Sequence, residues 1–327
     1  SNFPIIKQSV NLELTNHELP KFFYDSTPCP YRQKGGSVEA EKLLQSFLNK
    51  RGENYQFEMS SPITAEKSCS RLSTHLTYGT ISHRAVFQEA TKKRDLIKHT
   101  NKNFAKSINS FLSRLHWRSH FIQKLEDQPS IEHTSFIPVY DQIREKDEEK
   151  LEAWIEGKTG VHFIDACMIY LRNYGWINFR MRAMLASFAS YNLWLDWRYF
   201  APRLAALFTD FEPGIHYSQI QMQSGTTGIN TIRMYNPYKQ AMDQDPLAKF
   251  IKSQIPEVKN FPPAFFHNPP KKSLNVNLFD NEFQKEIINV KETAQYARKK
   301  IFDIRKSQEH KILAKNVYLK HGSRGRG

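Results

Sequence analysis

The chain has 327 residues, 13% of them aromatic, with a formal charge of +14 and three cysteines. That length is enough for one large domain or two modest ones with a sizeable core, and the cationic surplus favours an anionic partner such as nucleic acid or an acidic membrane surface, with solubility alone as the competing reading. Cys29, Cys69 and Cys167 are odd in number and far apart, which argues against a disulfide framework, and no apolar run is long enough to span a bilayer or form a secretory core. A cytoplasmic, soluble protein without a membrane partner is expected.

Residues 1–36 are polar, carry Pro4, Pro20, Pro28 and Pro30, and read as an irregular leader. Helices dominate afterwards. Ser37 is a candidate N-cap, followed by Leu43, Leu44, Phe47 and Leu48 at helical spacing. A loop with Pro62 leads to Ser68-Cys69-Ser70-Arg71-Leu72-Ser73. Gly79 then closes a short helix and Ser82 opens another. Ile108, Phe111, Leu112, Leu115, Ile122 and Leu125 form the apolar stripe of a long helix over 107–125. The charged run 145–149 reads as a solvated loop or a helix start.

Residues 161–207 are the most apolar and read as buried core helices, while strand signals are nearly absent, so the chain is expected to be all-α. Pro262, Pro263, Pro269 and Pro270 mark an extended connection, after which a helix is expected over 290–306. Residues 307–327 are basic, and two readings stand: a phosphate-binding arm or a plain solubilising tail. The expected organisation is leader 1–36, helical domain 37–258, connection and packing helix 259–306, and tail 307–327.

Two look-alikes are rejected. Gly157-Lys158-Thr159 resembles the end of a P-loop, but Glu152 stands where the loop needs its first glycine. His116 and His120 are one turn apart, yet Trp117 replaces the glutamate of the zinc-protease motif and no third ligand is evident, so no metal is expected.

An ordered series of segments is more specific. It runs Ser70-Arg71-Leu72-Ser73, Trp154-x-x-Gly157-Lys158-Thr159-Gly160, Asp165-Ala166-Cys167-Met168 and Gly175-Trp176-x-Asn178-x-Arg180-Met181-Arg182. It continues with Ala186-Ser187-Phe188, Leu195-Asp196-Trp197-Arg198, Asn236-Pro237 and Asp245-Pro246. In order and spacing this resembles the FAD-binding helical domain of DNA photolyases and cryptochromes, over roughly residues 35–258 and more loosely to about 305. The resemblance implies an all-helical photolyase-like bundle that holds FAD. The α/β antenna domain of the family has no counterpart here, so no antenna pigment is expected on this chain; an antenna domain or another protein remains a possible partner.

The resemblance also implies roles. Cys69, Ser70 and Ser73, with Arg71 and Leu72 between them, match the stretch that binds the FAD diphosphate, where hydroxyls and free N–H groups suit phosphate. Ordinary helix capping is the competing reading of the serines. Tyr55 matches a tyrosine near the diphosphate. Phe111, Arg118, Trp176 and Phe179 fall on flavin-pocket positions. Arg182 and Asp210 match a paired arginine and aspartate beside the flavin ring, and Glu212 stands where the family usually has aspartate. His216 stands where photolyases have an asparagine facing flavin N5; an imidazole titrating near neutrality is expected to tune the flavin state.

Departures from the family bear on substrate. Arg114 replaces the glutamate that hydrogen-bonds a pyrimidine lesion, and a guanidinium only donates. Phe179 replaces an asparagine shared by flavin and lesion, Ala183 a methionine, and Met222 a lesion-flanking tryptophan. Trp117 is the lesion-flanking tryptophan that survives. Of three electron-carrying tryptophans only the middle one remains, Trp197; Ile220 and Arg144 hold the other two positions. Three functions follow: light-driven repair of pyrimidine lesions in DNA, with Arg114, Trp117 and His216 as its active residues, a cryptochrome-like blue-light sensor without repair, or a FAD- and nucleic-acid-binding module without photochemistry.

Overall fold

A computed structural model describes residues 28–268 and 285–322. Among them sixteen α-helices follow one another. They are α1 (Ser37–Ser46), α2 (Tyr55–Glu58), α3 (Pro62–Ser68), α4 (Ser73–Thr77), α5 (His83–Ile97), α6 (Lys102–Asp127), α7 (Glu148–Glu156) and α8 (His162–Tyr174), then α9 (Phe179–Ser187), α10 (Trp197–Ala205), α11 (Pro213–Ser224), α12 (Pro237–Gln244), α13 (Lys249–Gln254), α14 (Pro263–His267), α15 (Val290–Lys306) and α16 (Gln308–His321). The described residues contain no strand, only an isolated bridge between Glu145 and Leu195. The all-α expectation holds.

Local chemistry explains where helices begin. Ser82 accepts the Ala85 N–H and opens α5. Asn101 accepts the Phe104 N–H at 3.0 Å and opens α6 ahead of its apolar stripe. The charged run becomes a cap and a first turn: Asp147 accepts the Lys150 N–H at 3.0 Å, and Glu148 and Glu149 lie at the positive end of the α7 dipole. Ser37 is not the cap expected of it, because Gly36 holds that position with φ 99° and Ser37 is already helical.

The prolines after 256 do not simply extend the chain. Pro256 and Pro263 each occupy a first helical position, where a missing N–H costs nothing. Pro269 and Pro270 lie outside the described residues, as do Pro4, Pro20, Arg324 and Arg326. The helix expected over 290–306 is α15. Part of the segment read as a tail is helical, with His310, Val317 and His321 of α16 turned inward.

Three apolar clusters hold the helices together. The central one gathers Trp154, Phe163, Met168, Met184, Trp197 and Phe200 from α7 to α10. A second joins Leu44, Phe47, Val86, Ile108 and Phe111 from α1, α5 and α6. A third, with Ile137, Tyr140, Tyr191, Ile301 and Val317, fastens α15 and α16. Helix α11 packs on α6, α9 and α10 and so spans the first two clusters. Cys69 touches both, which puts the loop 69–73 at their seam.

Two glycines shape that seam. Gly157 ends α7 in the left-handed region at φ 71°, and the Thr159 and Gly160 N–H groups donate to buried Asp165 at 2.9 Å. The P-loop look-alike is therefore a closed turn on its own aspartate. Gly175 ends α8 at φ 64°, and a Cβ there would lie 2.4 Å from Thr209 Cγ2. Only glycine lets the Gly-Trp segment lie against Thr209 and Asp210. Among the described residues no helix is long and apolar enough to cross a membrane.

Candidate functional site

The loop after α3 is held from below by Arg51, in the π-helical turn that continues α1. Its guanidinium donates to the carbonyls of Cys69 at 2.7 Å, Lys67 at 2.9 Å, Leu43 at 3.1 Å and Ser70 at 3.2 Å. Arg71 is left-handed at φ 62°. Gln33 donates to its carbonyl at 2.8 Å, and its guanidinium lies 3.8 Å over the Trp176 ring. Strain at a non-glycine residue, pinned by one side chain and stacked on another, marks a position the surroundings enforce. Ser70 accepts the Leu72 N–H at 3.4 Å, a turn within the loop rather than a helix cap, since Leu72 holds the N-cap position of α4 and no side chain caps that helix. Burial pushes the Cys69 thiol up to about 12, so it stays protonated at neutral pH.

The opposite wall comes from α9 and the start of α11. Arg182 donates through Nη2 to Asp210 Oδ2 at 2.8 Å and through Nε to the Ile177 carbonyl at 2.7 Å, and its guanidinium stacks 4.2 Å over Phe208. The pair expected from the sequence is formed. Asp210 keeps its second oxygen, Oδ1, buried without a partner, and Arg71 keeps Nη1 in the same state. A buried acceptor and a buried donor left open at one seam are the condition under which a polar ligand completes the site. Arg118 donates to Glu212 Oε2 at 3.3 Å and to the Leu76 carbonyl at 3.4 Å, closing the wall between α6 and α11.

Beyond this wall lies an exposed rim. Trp117 on α6 is 43% exposed and Phe179 at the start of α9 is 48% exposed. The Arg114 guanidinium lies 5.6 Å over the Phe179 ring. Tyr55 and Phe111 sit deeper, in edge contact at 6.3 Å within the second cluster, with the Tyr55 hydroxyl raised by burial and facing Arg114.

His216 corrects an expectation. Its Nε2 donates to the Ala201 carbonyl at 2.9 Å, and the Phe211 and Tyr217 rings lie 5.4 and 5.3 Å away. Burial pushes the imidazole down to about 4, so it is neutral around pH 7 and does not titrate there. The linkage follows. The unfolded value near 6.5 exceeds the folded one, so this contribution is fully present above pH 6.5 and lost as pH falls toward 4; complete protonation forgoes about 3 kcal/mol. His162 and His321 also fall to about 4 and act in the same sense, whereas Asp165, raised to about 6, acts against them. The melting temperature should hold from pH 8 to 7 and drop steadily from about 6.5 to 4.5; a level curve across that range contradicts the burial argument.

Trp197 is buried, donates to Ser135 Oγ at 2.9 Å, and meets Tyr217 at 6.4 Å between ring centres. The structure thus brings together Ser70, Arg71, Trp176, Arg182 and Asp210, and separately Arg118 with Glu212 and Arg114 with Phe179. Sequence reasoning missed Arg51 and Gln33, which build the loop, and the Arg118–Glu212 pair.

A family model described as the FAD binding domain of DNA photolyase matches residues 111–310, more than half the chain. The chain belongs to this photolyase FAD-binding-domain family. A deoxyribodipyrimidine photo-lyase of Streptomyces griseus is 30% identical over 74% of the chain and 50% of its own length. Cryptochrome-2 of Arabidopsis thaliana is 30% identical over 84% of the chain and 46% of its own length. Among solved structures, an archaeal photolyase from Sulfolobus tokodaii, described with two FAD molecules, superposes with TM-score 0.68 at 30% identity, covering 86% of this chain and 59% of that one. A Synechocystis cryptochrome has TM-score 0.76 at 22% identity over 86% of this chain and 60% of that one, a likeness of fold. The chain spans about half the length of the curated relatives it matches.

The photolyase-family seam fits FAD by its donor set. Arg71 offers an open guanidinium for a phosphate and Asp210 an open carboxylate oxygen for a ring N–H, both buried. Ser70, Ser73, Trp176, Arg182, Arg118 and Glu212 complete the residues that would hold it.

Proposed function

We propose that the chain is a light-driven flavoprotein acting on pyrimidine lesions in DNA. The observation that carries this reading is the exposed rim beside the buried Arg182–Asp210 pair. Trp117 and Arg118 are neighbours on α6, and Arg118 binds Glu212, two residues from Asp210. Phe179 and Arg182 are one turn apart on α9. A base turned out of a duplex therefore meets aromatic faces at the mouth of the flavin seam.

FAD held by Arg71, Arg182 and Asp210 would, when bound and reduced, supply light-driven one-electron chemistry toward the lesion. The chain's own residues do the rest. Trp117 and Phe179 stack the base, Arg114 donates to its carbonyl oxygens or a flanking phosphate, and Arg182 fixes the position of Asp210 through their contact at 2.8 Å. His216, neutral and fixed as the Nε2–H tautomer, contributes no charge beside the flavin. The formal charge of +14 supports DNA as the partner, and three free cysteines accord with a cytoplasmic setting.

One observation favours the sensor reading instead. Arg114 is a donor stacked on Phe179, so the rim lacks a carboxylate acceptor for an imide N–H. Binding separates the two readings. An oligonucleotide with one pyrimidine dimer should bind at least about tenfold tighter than its undamaged twin, and Trp117→Ala should remove about 1–3 kcal/mol of stacking and most of that preference. Equal affinity for both oligonucleotides, with flavin that photoreduces, sinks the repair reading and supports the sensor.

A further inference from the structure

Past Trp117 the exposed side of α6 continues as a line of bases. His120 meets the Trp117 ring edge-on at 5.5 Å and forms no hydrogen bond among the described residues. One turn on, the Lys124 ammonium lies 5.4 Å over the Phe121 ring and makes no ion pair among the described residues. The end of α16 is fastened beside them. His321 pairs with Gln128 Oε1 at 2.8 Å and packs edge-on against Phe136 at 5.1 Å, which brings Lys320 to the same end of the bundle.

Burial disfavours the charged forms of Lys124, His120 and His321. Lys124 is held below its usual range by burial, and His120 by burial and then by Lys124. His321 is lowered by burial, then by Lys124, Lys320 and His120, and only the Asp127 carboxylate opposes this. Asp127 is exposed and already accepts from Gln123 Nε2 at 3.1 Å. A half-buried ammonium with no carboxylate partner among the described residues is an unfavourable arrangement that an external anion relieves.

We propose that the end of α6 and the last turn of α16 form a phosphate-binding track that carries the backbone of bound nucleic acid away from the Trp117 rim. This inference rests on the nucleic-acid reading above. Geometry suits it. Trp117, His120 and Lys124 share one face of α6, and Lys124 lies about 10 Å along the axis from Trp117. That places it beside the phosphates one or two nucleotides from a base stacked on Trp117. Lys124 and Lys320 supply the charge, His120 lines the path, and His321 is the positioning residue that seats α16.

The test is fluorescence anisotropy of the full flavin-loaded chain with a labelled twelve-nucleotide oligothymidylate across a salt series. The doubly substituted Lys124→Ala, Lys320→Ala protein should bind about tenfold more weakly near 0.1 M salt. Its plot of log affinity against log salt should be shallower by about 1.4, the value for two single-strand phosphate contacts. Unchanged flavin absorbance in that variant establishes that the fold is intact. Trp117→Ala should weaken binding with the salt slope unchanged. Wild-type binding with an undiminished slope in the double variant overturns the track alone, and competition by polyglutamate as strong as by oligothymidylate also overturns it. A wild-type protein that binds no oligonucleotide overturns the track together with the nucleic-acid reading.

Discussion

Asp210→Ala should yield a folded protein that holds at least about tenfold less tightly to FAD than the parent. Asp210 is 3% exposed in its side chain, and one oxygen already takes Arg182 at 2.8 Å. Removing the carboxylate leaves the Arg182 guanidinium without its counter-charge beside Phe208, a change that costs about 3–5 kcal/mol where the pair is buried. Arg182 is itself 26% exposed, so the lower end of that range applies, as a loss of fold stability; the loss of affinity is that of one hydrogen bond to a charged acceptor, about 1.5–3 kcal/mol or one to two decades. The same substitution removes Oδ1, the open acceptor at the seam. Asp210→Asn keeps the shape and one acceptor but not the charge, and should fall between the two. Flavin absorbance of the purified variants and titration of the apoproteins with FAD provide the measurement. Full retention of FAD by Asp210→Ala means that the flavin does not depend on this wall.

The largest effect on stability is expected at Trp154. This side chain is 0% exposed at the centre of the main cluster and meets Phe200 edge-on at 5.6 Å. Truncating a fully buried tryptophan costs about 3–5 kcal/mol, because lost transfer energy and a residual cavity add. Domains of this size shift by about 2–4 °C per kcal/mol, so Trp154→Ala should melt about 10 °C or more below the parent. The indole Nε1 has no hydrogen-bond partner. Trp154→Phe therefore breaks no polar contact and should recover more than half of the loss. If phenylalanine is as damaging as alanine, the indole nitrogen has a partner and simple packing is not the explanation. Thermal denaturation followed by far-ultraviolet circular dichroism distinguishes these outcomes.

Helix existence was legible and helix ends were less so. The stripe of Ile108, Phe111, Leu112 and Leu115 identifies α6, yet the helix starts at Lys102; its first turn buries Phe104 and Ala105, but the polar residues Asn101, Lys102, Asn103 and Lys106 around them break the stripe. Helix α16 was hidden for a related reason. Its buried positions, His310, Val317 and His321, are sparse and two are polar, so the surrounding lysines dominate the pattern. The Arg182–Asp210 pair was readable only through family resemblance, since 28 residues separate the partners. Arg51 left no signal at all. An arginine in the last turn of a helix looks like a dipole partner, and three of its four carbonyl contacts, to Lys67, Cys69 and Ser70, exist only once that segment has folded over it. The titration expected of His216 failed because sequence shows the residue type but not its burial.

The central claim is that light drives an electron from this chain's flavin into a pyrimidine lesion. The decisive measurement loads the protein with FAD, reduces it, adds an oligonucleotide carrying a defined pyrimidine dimer, and counts restored pyrimidines in blue light against darkness. Restoration in light alone, lost in Asp210→Ala together with the flavin, is the predicted result. A protein that carries reducible flavin and binds the oligonucleotide, yet restores no pyrimidines under illumination, contradicts the claim.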